Sequence, residues 1–289
     1  MKHHINNFQR WLKLLNYAEI TAYNDPKYIK LFLEYLQAIQ IKTIQETENR
    51  HIKEYYEYLK VRPNKRRPGA LSPNSIISNI NAIKRFAKYL RETEQINLTI
   101  NIKPERVKTE KIILSKPEIQ ALYKACGNDI LGQRDKAMLS IYYGCGLRRT
   151  EGIQLNTEDI IFNKSIVFVK KGKGNRQRYI PMNRQVKEDL ENYINNARIY
   201  LIKYENETAL FLNQRGKRIS GNGMITRLKR LLIKAELSEE KIISTGLHTL
   251  RHSIATHLLN SGMTLENVSR FLGHQSLEST QIYTHISQQ

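Results

Sequence analysis

Between Asn97 and Ile112 the helical spacing of apolar residues that runs through the earlier part of the chain fails. Asn101 to Thr109 reads instead as a basic linker, broken by Pro104 and carrying Lys103, Arg106 and Lys108. Such a break divides the chain into two domains with separate cores, because single domains usually run to about 100 to 200 residues. The expected division is 1–100, a linker over 101–112, and 113–289.

Charge indicates what both parts touch. Residues 1–108 hold 20 basic against 10 acidic side chains and residues 109–289 hold 27 against 17, so each part carries +10 of the total of +20. Both look built for one polyanion, and phosphate neutralisation with counterion release makes that polyanion a nucleic acid. A membrane-surface protein would gather its charge in a tail or one amphipathic helix, and neither is seen. No run of about eighteen apolar residues occurs, and Met1 to Asn7 lacks a signal-like apolar core. The two cysteines, Cys126 and Cys145, have no metal-pair spacing and read as buried thiols in a reducing compartment. The expectation is a cytoplasmic, DNA-associated protein that needs no metal or cofactor and no membrane.

The first part reads as all-helical. Apolar positions from Ile5 to Leu15 mark a first helix, and Asp25-Pro26 reads as a cap and N1 proline opening a second. A third covers about 47–60, and the basic loop Lys65-Arg66-Arg67 follows it as a candidate phosphate contact. Ser72-Pro73 opens a fourth, with Ile76, Ile80, Ile83, Phe86 and Leu90 on one side. Asn74, Asn81, Lys84, Arg85 and Lys88 fall largely on the other, and Asn and Arg can pair with base edges, so this face is the candidate major-groove surface.

The second part mixes helices with a little sheet. Ser115 to Glu118 has capping-box spacing, a mostly buried helix spans about 133–143, and Arg148 precedes Glu151 by one helical turn. Ile166–Val169 and Arg178–Met182 read as strands joined by a turn, Gly172 to Gln177, whose tip carries Lys173 and Arg176. A long helix over about 184–203, a short strand over 209–212, and a basic helix over 224–235 bearing Arg227 and Arg230 come next. Three short helices close the chain, over about 248–260, 265–272 and 276–285. The fold class is therefore mainly α with a small β-sheet in the second domain.

The order of Gly146-Leu147-Arg148-Arg149-Thr150-Glu151, Gly172-Lys173-Gly174-Asn175-Arg176, His248-Thr249-Leu250-Arg251-His252, Leu272-Gly273-His274 and Gln281-Ile282-Tyr283-Thr284-His285 resembles the tyrosine recombinase family, the integrases and Xer-like recombinases. The resemblance implies a SAM-like core-binding domain and a catalytic domain closing as a C-shaped clamp on a double-stranded DNA recombination site. It also implies a dimer on each site, a tetramer in the synapse with strands exchanged through a Holliday junction, and room for an accessory protein or partner recombinase.

The residues fit that chemistry. Arg148 and Arg251 would neutralise the non-bridging phosphate oxygens. Tyr283 would attack and form a 3′-phosphotyrosyl link without ATP or metal. Its phenol ordinarily titrates near 10, so a base is needed, and His248 is the candidate. Lys173 would protonate the departing 5′ oxygen, His274 would donate to the phosphate, and Glu151 would hold Arg148. Only six residues follow Tyr283, whereas many relatives carry a further helix, so docking between protomers is expected to use other surfaces.

Three other readings compete. A zinc hydrolase would use His248 and His252, four apart on a helix, but Thr249 stands where the glutamate of such a motif belongs. A DNA-binding protein without catalysis and a type IB topoisomerase-like relaxer are the others.

Overall fold

The computed structural model describes residues 2–64, 68–94, 96–105, 111–170 and 177–273. The chain divides into two compact units, residues 1–109 and 110–289, each with its own apolar core.

The first unit is built from α1 (Lys2–Leu14), α2 (Glu19–Ala38), α3 (Asn49–Val61) and α4 (Pro73–Thr93). Their apolar faces meet on Phe8, Leu12, Phe32, Ile83 and Phe86, all fully buried. Phe8 meets Phe86 edge-on with ring centroids 5.3 Å apart. Each such ring contributes roughly 1.5–3 kcal/mol by leaving water.

The start of α2 differs from the sequence expectation. The helix begins at Glu19, so Pro26 lies inside it. Proline has no N–H to give the carbonyl one turn back. Gln9 of α1 fills that gap, donating from Nε2 to the Ala22 carbonyl at 3.1 Å. Asp25 is no cap either: it is buried and takes the Arg85 guanidinium of α4 at 2.5 and 3.0 Å. Gln9→Ala is expected to leave that carbonyl short of a donor and to lower stability by about 1 kcal/mol, read as a lower urea midpoint for the first unit.

Ser72 caps α4 as expected, its Oγ accepting from Ser75 N at 3.3 Å. After α4 the chain stays on the first unit. Leu98 and Ile102 are buried in its core, Lys84 Nζ donates to the Ile102 carbonyl at 3.0 Å, and Asn101 N–H donates to Asn49 at 2.9 Å.

The second unit holds α5 (Lys116–Ala125), α6 (Ile130–Leu139), α7 (Arg149–Gln154), β1 (Ile160–Ile161), β2 (Ile166–Val169), β3 (Arg178–Pro181), α8 (Arg184–Asn192), α9 (Gly221–Lys234), α10 (Glu239–Ser244), α11 (Leu247–Asn260) and α12 (Leu265–Leu272). The three strands form one antiparallel sheet in the order β1-β2-β3, and Val169 opposite Arg178 is the last pair before the tip of the β2–β3 hairpin. The capping box opening α5 is present, with Ser115 Oγ and the Glu118 carboxylate exchanging hydrogen bonds with each other's backbone.

Three expectations are corrected here. The buried helix expected over 133–143 starts at Ile130, capped by Asp129, and widens to a π-turn over Ser140–Gly144. Ser140 Oγ donates to the buried Asp189 at 2.5 Å from inside that turn. The single helix expected over 184–203 ends as α8 at Asn192, then passes through a π-turn and a 3₁₀ turn. The buried Arg198 at that change donates to the carbonyls of Glu207 and Ala209. Residues 209–212 form isolated bridges, Asn156 with Ala209 and Leu212 with Arg218, rather than a strand. The apolar run resembled a strand because Ala209 to Leu212 are all buried.

Candidate active site

Arg148 sits at the N-terminus of α7, where backbone N–H groups have no partner inside the helix. Glu151, the third residue of the helix, satisfies one of them: its Oε2 accepts the Arg148 backbone N–H at 2.8 Å. Its Oε1 accepts Arg148 Nη1, also at 2.8 Å. The carboxylate is 1% exposed. The expected hold of Glu151 on Arg148 thus has a defined geometry.

Arg178 joins them, and the sequence reading did not name it. It donates from Nη1 to Glu151 Oε1 at 2.9 Å and from Nη2 to Oε2 at 2.8 Å. Burial would push the Glu151 carboxyl up, but the Arg178 guanidinium, the Arg148 backbone N–H and the Arg148 guanidinium together hold it at about 2. Strand alternation carried the missed signal. Arg178 is two residues from the buried Ile180, so it shares the inward face, while Tyr179 between them is 64% exposed.

The two motif arginines then grip consecutive carbonyls. Arg148 Nη2 donates to the Gly273 carbonyl at 3.0 Å. Arg251, buried on α11, donates from Nη2 to the Leu272 carbonyl at 2.7 Å and from Nη1 to the Gly146 carbonyl at 2.6 Å. Both glycines are in the left-handed region, Gly146 at φ 60° and Gly273 at φ 63°, which only glycine enters without a penalty of roughly 1–2 kcal/mol. At Gly273 a Cβ would also lie 2.6 Å from Arg178 Cδ. Gly273→Ala is expected to lower the melting temperature by a few degrees and to displace Arg178, measured by calorimetry beside wild type.

His248 lies one turn before Arg251 on α11, with its side chain open to solvent. Partial desolvation lowers its pKa below 6.5, and the positive charges of Arg251, Arg148 and Arg149 act in the same direction. A ring in that field is neutral at physiological pH and can accept a proton.

The structure thus brings Arg148, Glu151, Arg251 and His248 to the N-termini of α7 and α11. Lys173, His274 and Tyr283 lie outside the described residues, as do Lys65, Arg66, Arg67 and Arg176. Of the expected DNA contacts, Asn74, Asn81, Lys84, Lys88 and Arg230 are exposed. Arg85 and Arg227 turn inward instead: Arg85 pairs with Asp25, and Arg227 donates to the buried Asp135 at 2.8 and 2.5 Å. A buried carboxylate without a partner is costly, which draws these guanidiniums in. Among the described residues, His3, His4 and Glu94 of the first unit form the one trio of histidine, cysteine and carboxylate side chains close enough to share an ion.

Residues 113–289 match the phage integrase family, and residues 5–97 match the phage integrase N-terminal SAM-like domain. The chain belongs to the phage integrase family and is a tyrosine-type site-specific DNA recombinase. Within that class it is Xer-like. It is 31% identical to the tyrosine recombinase XerC of Anoxybacillus flavithermus over 98% of this chain and 93% of that one. It is 30% identical to XerC of Bacillus subtilis over 100% of this chain and 93% of that one. Its fold is similar to that of the Tn1549 transposon integrase in complex with a circular intermediate DNA, at a TM-score of 0.75 and 20% identity, covering 97% of this chain and 94% of that one.

Proposed function

We propose that this recombinase cleaves and rejoins DNA through a 3′-phosphotyrosyl intermediate on Tyr283. DNA is its partner, as in the solved complexes of similar fold. The observation that carries the site assignment is the grip of Arg148 and Arg251 on the successive carbonyls of Gly273 and Leu272. It brings two motifs more than a hundred residues apart to the stretch that precedes His274.

In the proposed step the Tyr283 oxygen attacks phosphorus and its proton passes to His248. The bond to the 5′ oxygen breaks, and Lys173 supplies the proton that oxygen takes. Arg148 and Arg251 stabilise the charge on the non-bridging oxygens, His274 donates to one of them, and Glu151 holds Arg148. Residues 1–100 form the core-binding domain, 101–112 the linker and 113–289 the catalytic domain, an assignment supported by the two family matches. A dimer on each site, a tetramer in the synapse and a Holliday junction intermediate complete the reading, with the protein acting in the cytoplasm. Among the described residues no helix is long and apolar enough to cross a membrane.

The test is capture from a library of nicked duplexes in EDTA, with the DNA that stays protein-bound in SDS then sequenced. Wild type is expected to retain one recombination site. Tight binding with no covalent product would favour the non-catalytic alternative. The lowered His248 pKa adds a second expectation. A base must be neutral, so the capture rate should hold constant as pH falls toward about 6.5. It should decline only below that value, as a pH–rate profile on the captured site will show.

A further inference from the structure

Arg178 has no part in the chemistry assigned above, yet the guanidinium cluster is balanced on it. It opens β3, just after the hairpin tip. Both its terminal nitrogens lie on Glu151, one on each oxygen, and each of those oxygens also accepts from Arg148. The Arg178 side chain packs beneath Gly273 so closely that a methyl there would collide with its Cδ and Nε. The Gly273 carbonyl is the one held by Arg148 Nη2. Arg178 therefore touches both anchors of Arg148.

Counting charge shows what this achieves. Arg148 and Glu151 alone make a neutral pair, and a phosphate approaching Arg148 would meet a carboxylate 2.8 Å from the same guanidinium. Like charges that close repel strongly in a partly buried site. A second guanidinium on the carboxylate leaves the cluster with a net positive charge.

We propose that Arg178 is a positioning residue that absorbs the charge of Glu151, so that Arg148 keeps its own for the scissile phosphate, and that braces the Gly273 corner. The proposal rests on the phosphoryl-transfer reading above. It predicts a defect in the chemical step rather than in DNA affinity.

The test compares full-length wild type with Arg178→Met, Arg178→Lys and the double variant Arg178→Met/Glu151→Gln, on the duplex that wild type captures. Arg178→Met is expected to slow covalent capture by about 10- to 100-fold, the scale of direct coupling between residues in one network. DNA affinity should stay within about threefold. Arg178→Lys, which keeps the charge without the fork, should lie between Arg178→Met and wild type. The double variant removes the charge that needed absorbing and should recover at least about fivefold over Arg178→Met.

A purely structural strut predicts the opposite: a double variant no faster than the single one, with losses that track melting temperature. That result overturns the proposal. A second readout needs no cleavage, namely a carbon-13 titration of the Glu151 carboxyl. In Arg178→Met its pKa should rise from about 2 by at least about one unit, and an unmoved value also overturns the proposal. Should wild type capture no DNA at all, the phosphoryl-transfer reading fails while the titration still decides whether Arg178 balances Glu151.

Discussion

Tyr283→Phe is expected to bind duplex DNA as wild type does and to form no covalent adduct. Affinity for a duplex comes mainly from phosphates neutralised by basic side chains, and the phenol hydroxyl neutralises none. The salt dependence of binding should therefore match that of wild type. Capture in the proposed step depends instead on the phenol oxygen becoming esterified to the 3′ phosphate as the 5′ oxygen leaves, and a phenyl ring has no oxygen to offer. Removing a nucleophile from a cooperating set typically lowers turnover by about 10⁴- to 10⁶-fold. In the proposed reaction the adduct itself contains the missing atom, so the band that survives SDS should disappear. Equal capture by both proteins would move the nucleophile to another side chain.

Glu151→Gln carries the largest stability effect. The change keeps the shape and removes the charge, so two guanidiniums are left around a neutral amide in a nearly closed site. Breaking a buried pair by removing one partner costs about 3–5 kcal/mol. Linkage gives an independent measure. The folded pKa of Glu151 is depressed from an ordinary 4.5 to about 2. Stability from a depressed carboxyl is present above its unfolded pKa and lost as pH falls through its folded one. At 1.36 kcal/mol per unit that is about 3 kcal/mol, in line with the first figure. Melting temperatures of wild type and variant should therefore be well apart at neutral pH and converge between about pH 4.5 and pH 2. Parallel curves across that window would remove Glu151 from the charge balance of the site. Cleavage should also fall, because Arg148 loses the charged one of its two anchors.

Much of this architecture is legible in local chemistry. The caps Ser72-Pro73 and Ser115 to Glu118 mark helix starts that the structure reproduces, because a cap is a contact between near neighbours. The two strands of the hairpin were readable from their β-branched and aromatic residues. Misreadings arise where a distant residue supplies the deciding contact. Asp25-Pro26 has the form of a helix start, and only Gln9 and Arg85, on other helices, make it an interior. The break after Asn192 depends on carbonyls of Glu207 and Ala209 that the buried Arg198 must reach. The same limit applies to the site: Arg148 and Glu151 are one turn apart and announce their pairing. Arg178 reaches Glu151 from 27 positions away, and the pairing of Arg85 and Arg227 with buried carboxylates is hidden because those partners are far off in sequence.

The carbonyls of Leu272 and Gly273 are held by side chains 21 and 125 positions earlier in the chain. During synthesis Arg148 is made well before the carbonyl it grips, and Arg251 shortly before its own. A chain stopped before residue 272 carries the motif arginines without two of the carbonyls that hold them. The guanidinium cluster is therefore assembled only once the chain has been made past residue 273.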